Sequence, residues 1–118
     1  MKNIIVVTGG AGFIGTNLIN LLLKKTKFKI ISVDNYSSSN KKNHVKDKRI
    51  NYINGNIKNI LNILKNRKNL IHSLFHFGEF SRIYQSFIKM DECIDSNSVG
   101  THAVFNFCLT NKIKLIYS

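Results

Sequence analysis

The chain contains no proline, only two cysteines and only six acidic residues among 118. Each scarcity removes a class of protein. Without proline there is no proline-rich linker, and no linker, internal repeat or second domain is visible along the chain. Two cysteines, Cys93 and Cys108, cannot make a disulfide framework. They fit reduced thiols on a helical segment, with no acid/base partner recognisable beside them. No apolar run approaches the roughly 20 residues of a membrane helix. The apolar stretch behind Met1-Lys2 is too short for a signal-peptide core and runs into glycines. The chain therefore reads as cytoplasmic, with no membrane partner. Its length and 43% hydrophobic content suit one domain with a buried core.

The shortage of acid leaves a net charge of +12. Such a charge raises the question of nucleic acid. Its distribution argues otherwise. Residues 1–70 hold 14 Lys/Arg against 2 Asp/Glu, and residues 71–118 hold 4 against 4. The excess sits in Lys24 to Lys29, Lys41 to Arg49 and Lys65 to Lys68, at helix ends and in loops, interleaved with Asn. This is a residue bias on solvated faces. No nucleic-acid-binding module is recognisable, so no nucleic-acid partner is expected.

What the chain does have begins at its first apolar run. Lys2 to Val7 is nearly all apolar, as a strand buried on both faces of a parallel sheet requires. Phe13, Ile14, Leu18, Ile19, Leu22 and Leu23 follow at helical spacing, with Lys24, Lys25 and Lys27 at the helix end, where cations suit the dipole. Phe28 to Val33 reads as a second strand ending at Asp34, and Asn35 to Lys48 as a loop. Arg49 to Ile53 is a third strand. Ile57, Ile60, Leu61 and Leu64 predict a helix over about 57–67. Leu70 to Phe77 is a fourth strand, Ile83 to Leu109 is mostly helical with Gly100 as an interruption, and Lys114 to Tyr117 starts a fifth strand. Val104, Phe105, Phe107 and Leu109 read as helix core. The alternation predicts an α/β fold, a Rossmann-type doubly wound parallel sheet of strand order 3-2-1-4-5.

Between the first strand and the first helix stand Thr8-Gly9-Gly10-Ala11-Gly12-Phe13-Ile14-Gly15. Glycines there allow a tight turn and let the backbone approach a pyrophosphate. The last one lets helix and strand pack closely. The helix N-terminus offers unpaired N–H groups and the positive dipole end to the phosphates. Asp34 lies 19 residues beyond Gly15, at the end of the second strand. A carboxylate there accepts hydrogen bonds from ribose hydroxyls and repels a 2′-phosphate, which favours NAD over NADP. Lys41 and Lys42, nearby, would counter that preference if the loop folded back. His72 and His76 would lie on one strand face about 13 Å apart, too far for one ion, so a structural role and no metal is expected.

Six segments in order resemble the extended short-chain dehydrogenase/reductase family, the NAD-dependent sugar-nucleotide epimerases and dehydratases. They are Thr8 to Gly15, Val33 to Ser39, Gly55-Asn56-Ile57, Leu74 to Arg82, Asn97-x-x-Gly100-Thr101 and Lys114 to Ser118. The resemblance implies that Gly9, Gly12, Phe13, Ile14 and Gly15 line the pyrophosphate of NAD. Asp34, Asn35, Ser38 and Ser39 would hold the adenosine ribose. Asn56 and Ile57 would flank the adenine, with Asn56 standing where the family has Asp. Phe77, Gly78 and Ser81 would run toward the nicotinamide, and Asn97 would fix backbone near the site. Glu79 and Arg82 would reach toward substrate or neighbouring loops.

The resemblance also exposes a gap. The family's proton chemistry uses a Tyr-x-x-x-Lys pair with a Ser or Thr. Tyr36, Tyr52, Tyr84 and Tyr117 each lack Lys four residues on, and the chain ends at Ser118, where the family's Ser-rich turn begins. The expectation is therefore an incomplete NAD-binding domain over 1–118, lacking the remaining strands, the catalytic residues and the substrate domain. On its own it should have no turnover, and its uncovered sheet edge should invite association. The full-length enzyme would take a nucleotide-sugar substrate and form a homodimer. The other reading is a stand-alone NAD-binding module without turnover.

Overall fold

The computed structural model describes residues 1–36, 42, 44–77 and 100–117. The described chain runs β1 (Ile4–Thr8), α1 (Phe13–Lys25), β2 (Lys29–Asp34), β3 (Ile50–Asn54), a 3₁₀ turn (Ile57–Asn59), α2 (Ile60–Leu64), a second 3₁₀ turn (Lys68–Leu70), β4 (Ile71–His76), α3 (Thr101–Thr110) and β5 (Lys114–Tyr117). The strands form one sheet of order β3-β2-β1-β4-β5. The pairings are parallel throughout.

β1 is central, and its position explains its composition. All five of its residues are buried. Because successive strand side chains alternate in direction, a central strand is buried on both faces: Ile4 to Val7 are apolar, and Thr8 at its end is buried with its hydroxyl hydrogen-bonded. Ile5 and Val7 join Ile30 beneath Ile19 and Leu22 of α1. Ile4 and Val6 join Ile31, Val33 and Leu74 beneath Ile57, Ile60, Leu64, Val104, Phe107 and Cys108. The helices thus cover both faces, as a doubly wound sheet requires. Among the described residues no helix is long and apolar enough to cross a membrane.

Two elements differ from the sequence reading. The helix expected over 57–67 is α-helical only at Ile60–Leu64. Asn56 accepts a hydrogen bond from Lys58 N through Oδ1, which starts a 3₁₀ turn instead. After Leu64 the bonds Arg67 N to Leu64 O and Leu70 N to Arg67 O continue in three-residue steps and hand the chain to β4. In α3, Val104, Phe107 and Cys108 are buried, but Phe105 is 44% and Leu109 81% exposed. Reading all four apolar residues as core was wrong. At about 100° per residue, positions 104, 107 and 108 share one stripe, and 105 and 109 fall on the next. Gly100 has helical angles, φ −64° and ψ −47°, so it does not itself break the helix. The remainder of the 83–109 reading lies outside the described residues.

A cation holds one helix end. Arg49 immediately precedes β3 and donates from its guanidinium to Thr26 O at 2.7 Å and to Leu23 O. These carbonyls sit at the C-terminus of α1, where a positive charge also meets the negative dipole end. Arg49→Ala is expected to lower stability by about 1–2 kcal/mol. Urea unfolding monitored by circular dichroism reads this; an unchanged midpoint would refute it.

Five other cations follow the topology. Lys24 and Lys25 end α1, Lys48 precedes β3, Lys65 follows α2 and precedes β4, and Lys112 precedes β5. In a parallel sheet all these positions fall at the strand N-terminal edge. The glycine turn leaves the C-terminal edge.

Candidate functional site

The strand order reverses at β1. The chain builds β2 and β3 on one side of it, then crosses to place β4 on the other. The carboxyl ends of strands at such a switch point form the ligand crevice of doubly wound folds. The described residues among those singled out from sequence gather at this edge.

Gly9 leaves β1 with φ 72°, a left-handed conformation costly for any side chain. Its N–H bonds Val33 O at 2.8 Å, and its carbonyl accepts from Gly12 N at 3.1 Å. Gly12 is the N-cap of α1 and supplies no side-chain cap. The first-turn N–H groups of Phe13, Ile14 and Gly15 therefore point into the crevice mouth with the positive helix end behind them. Phe13 and Ile14 hold their side chains outward, 80% and 60% exposed. A Cβ at Gly15 would lie 2.3 Å from Gly9 O and 2.8 Å from Gly10 Cα. Turn and helix can approach this closely only with glycine there.

Gly10 was not among the assigned site residues, although it belongs to the motif. A Cβ there would stand 2.0 Å from Ser32 Oγ. Sequence spacing carries no sign of this approach, because the partner lies on another strand.

Asp34 ends β2 and is 9% exposed. Its Oδ2 accepts from Ala11 N at 3.1 Å and its Oδ1 from Tyr36 N at 2.8 Å. The carboxylate thereby ties the glycine turn to the loop after β2. Each carboxylate oxygen has two lone pairs, which leaves acceptor capacity toward a ribose. A cleft lined by Gly9, Val33, Asp34, Asn35, Gly55, Asn56 and Ile57 opens beside it. Five of the residues assigned from sequence thus share one cleft. Asn56 spends Oδ1 on its own turn and retains the amide donors.

Beyond Asp34, Tyr36 has φ 60°. Its hydroxyl bonds His44 Nε2, and the His44 ring stacks on Tyr52 at 3.7 Å. Burial first, then the Asp34 charge, raises the Tyr36 pKa above that of an ordinary phenol. Tyr52 is raised too, by burial, while its hydroxyl accepts from Val45 N at 2.8 Å. The stack braces the described ends of the loop; the sequence reading contained no hint of it.

Phe77 follows β4 at the far side of the crevice, its N–H bonded to Thr8 O and Thr8 Oγ1. Ser38, Ser39, Gly78, Ser81 and Asn97 lie outside the described residues, as do Lys41, Tyr84 and Cys93. His72 is exposed beside Phe28 and bonds Ser73 Oγ. His76 is fully buried. Among the described residues no cluster of His, Cys, Asp and Glu could hold a metal. Cys108 is buried in the core, which pushes its thiol up to about 11 and keeps it protonated at neutral pH.

Comparison with known proteins agrees with this geometry. The model of the NAD dependent epimerase/dehydratase family matches residues 5–118. A dTDP-D-glucose 4,6-dehydratase of Dictyostelium discoideum is 32% identical, over 93% of this chain and 27% of its own length. An ADP-L-glycero-D-manno-heptose-6-epimerase of Brachyspira hyodysenteriae is also 32% identical, over 97% of this chain and 36% of its own. Among solved structures, the epimerase Mth375 of Methanothermobacter thermautotrophicus superposes with a TM-score of 0.86 at 25% identity, over 98% of this chain and 34% of that one. WbmF of Bordetella bronchiseptica, solved with NAD+, gives 0.87 at 23% identity, over 98% and 36%, and shares the fold. The chain spans about a third of the length of these relatives. The cofactor of the matched family is NAD. With its strand order, glycine turn and the match over residues 5–118, the chain belongs to the NAD-dependent epimerase/dehydratase family.

Proposed function

We propose that this chain is the NAD-binding part of an epimerase or dehydratase acting on a sugar nucleotide. The single observation that carries the reading is the cradle at the switch point. There a glycine turn closed by Gly15 faces Asp34 across a cleft, with the uncapped start of α1 beside it. The space that a Cβ would fill at Gly15 is needed by the turn itself, and the donors present are backbone N–H groups, the natural partners of a pyrophosphate. These features fit NAD.

In this reading Gly9, Gly12, Phe13, Ile14 and Gly15 surround the pyrophosphate. Asp34 and Asn35, with Ser38 and Ser39, take the adenosine ribose, and Asn56 and Ile57 flank the adenine. Phe77, Gly78, Ser81 and Asn97 belong to the nicotinamide side. Bound NAD supplies reversible acceptance of a hydride from the sugar. The chain's own part is to bind and orient the cofactor, because the residues given contain no Tyr-x-x-x-Lys pair to move the proton.

Calorimetric titration tests the reading. NAD is expected to bind at least about tenfold more tightly than NADP, because a 2′-phosphate would face the Asp34 carboxylate. The 118 residues alone are expected to convert no sugar nucleotide. Equal or tighter NADP binding overturns the cofactor assignment, and measurable conversion overturns the division of labour.

A further inference from the structure

We infer that Tyr36, held in a left-handed conformation by its link to His44 and Tyr52, positions the adenosine half of the cofactor site, an inference resting on the adenosine side of the function proposed above. Tyr36 stands two residues after Asp34, and its φ of 60° is unusual for a residue with a side chain. A bulky residue stays in that region only where its surroundings outweigh the cost. Here the Tyr36 hydroxyl bonds His44 Nε2 at 2.5 Å, with the two ring centroids 5.6 Å apart. His44 lies flat on Tyr52, the centroids 3.7 Å apart and the planes within 4° of parallel. Tyr52 belongs to β3, pairs with Ser32 of β2 and packs against the core cluster beneath α1. The sheet thus anchors the stack, and the stack anchors Tyr36.

What Tyr36 controls is the aim of Asp34. Tyr36 N donates to Asp34 Oδ1 at 2.8 Å, while Ala11 N donates to Oδ2 at 3.1 Å. The carboxylate is held by both oxygens, so the plane it turns toward a ribose depends on where Tyr36 puts its N–H. With the ring anchored and φ set, that N–H has one direction. If φ leaves the left-handed region, the peptide unit shared with Asn35 turns, Oδ1 loses its donor and Asn35 moves with it.

The effect falls on one cleft. Asp34 and Asn35 line it together with Gly9, Val33, Gly55, Asn56 and Ile57. Gly55 N donates to Asp34 O at 3.0 Å, which keeps the chain leaving β3 against the chain leaving β2. Tyr36, His44 and Tyr52 stand outside this lining. They act through backbone placement, which makes them positioning residues. Their loss should weaken AMP and NAD alike, because both carry the adenosine.

The test separates backbone conformation from ring contacts. AMP and NAD are titrated by calorimetry into the wild-type chain and its variants, with a melting curve for each. Tyr36→Ala is expected to weaken both ligands about tenfold, because alanine is costly in the left-handed region and no stack holds it there. Tyr36→Gly takes that conformation without steric cost and is expected to keep both within about threefold of wild type. His44→Phe leaves a flat ring on Tyr52 but removes the bond to the Tyr36 hydroxyl, so a loss of about fivefold is expected. Added to Tyr36→Gly, His44→Phe should cost less than about twofold further. If Tyr36→Ala does not fold, His44→Phe in the two backgrounds still decides. Equal losses in Tyr36→Gly and Tyr36→Ala overturn the inference, since the ring itself would then matter. So does a lower melting temperature in Tyr36→Ala with AMP affinity unchanged, or a full His44→Phe loss in the Tyr36→Gly background. If the wild-type chain binds AMP but gains nothing from the rest of NAD, the proposed function fails while the AMP series still judges the positioning. A wild-type chain that binds neither refutes both.

Discussion

Gly15→Ala is expected to lower stability by about 3 kcal/mol and NAD affinity at least about a hundredfold. The added carbon would meet Gly9 O at 2.3 Å and Gly10 Cα at 2.8 Å. Both are backbone atoms of the turn, so no side chain can rotate away. Either α1 moves off β1, which uncovers Ile19 and Leu22, or the turn deforms and its N–H groups lose their aim. Gly12→Ala supplies the control. Its Cβ would lie 3.4 Å from Gly9 O, an ordinary contact, on a backbone at φ −78° open to any residue. That change should cost less than about 1 kcal/mol. Urea unfolding and NAD calorimetry on both variants read the difference. The argument fails if Gly12→Ala proves the more damaging.

Asp34→Ala is expected to destabilise the chain by about 2–4 kcal/mol and to erase the preference for NAD over NADP. The carboxylate is the acceptor for Ala11 N and Tyr36 N, so its loss releases the glycine turn and the loop together. Asp34 is 9% exposed and the Arg49 side chain 28%, so the backbone groups that Asp34 would abandon are less open to water, which places the effect above that of Arg49→Ala. Asp34→Asn separates charge from geometry. It keeps one oxygen acceptor but turns an amide donor toward the other N–H, so part of the stability returns. The NAD preference should not return, because the charge is gone. Thermal unfolding and paired NAD and NADP titrations give both quantities. Wild-type stability in Asp34→Ala would show that the two backbone bonds carry no weight.

The fold was legible wherever a single local pattern decided the matter. Lys2 to Val7 could only be a central strand, since no alternation was present to mark a solvated face. Asp34 was legible as the end of β2 because the apolar run stops there. Strand boundaries shifted by one or two residues, with β1 at Ile4–Thr8 and β4 at Ile71–His76. The length of α2 was missed because its apolar spacing suits a 3₁₀ turn and a short helix nearly as well as one longer helix.

Contacts between distant residues were not legible. Thr8 and His76 are 68 residues apart, and each was read alone, one as part of a motif and the other as half of a histidine pair. Their meeting follows only after β1 and β4 are set side by side. The Gly10–Ser32 approach and the Tyr36–His44–Tyr52 stack are hidden for the same reason. The strand order itself was available from sequence, so residues ending neighbouring strands could have been paired on paper.

The separation of the two sheet edges bears on how such a sequence can change. Residues that enter or leave the crevice are boxed in by backbone contacts, as Gly15 is, or by paired bonds, as Asp34 is. At the opposite edge, Lys24, Lys25, Lys48, Lys65 and Lys112 occupy helix ends and strand approaches, where a cation suits the helix dipole or meets water. A drift in composition toward lysine can accumulate there at little cost to the cofactor cradle. That part of the +12 charge is then a trace of where this fold leaves its sequence at liberty.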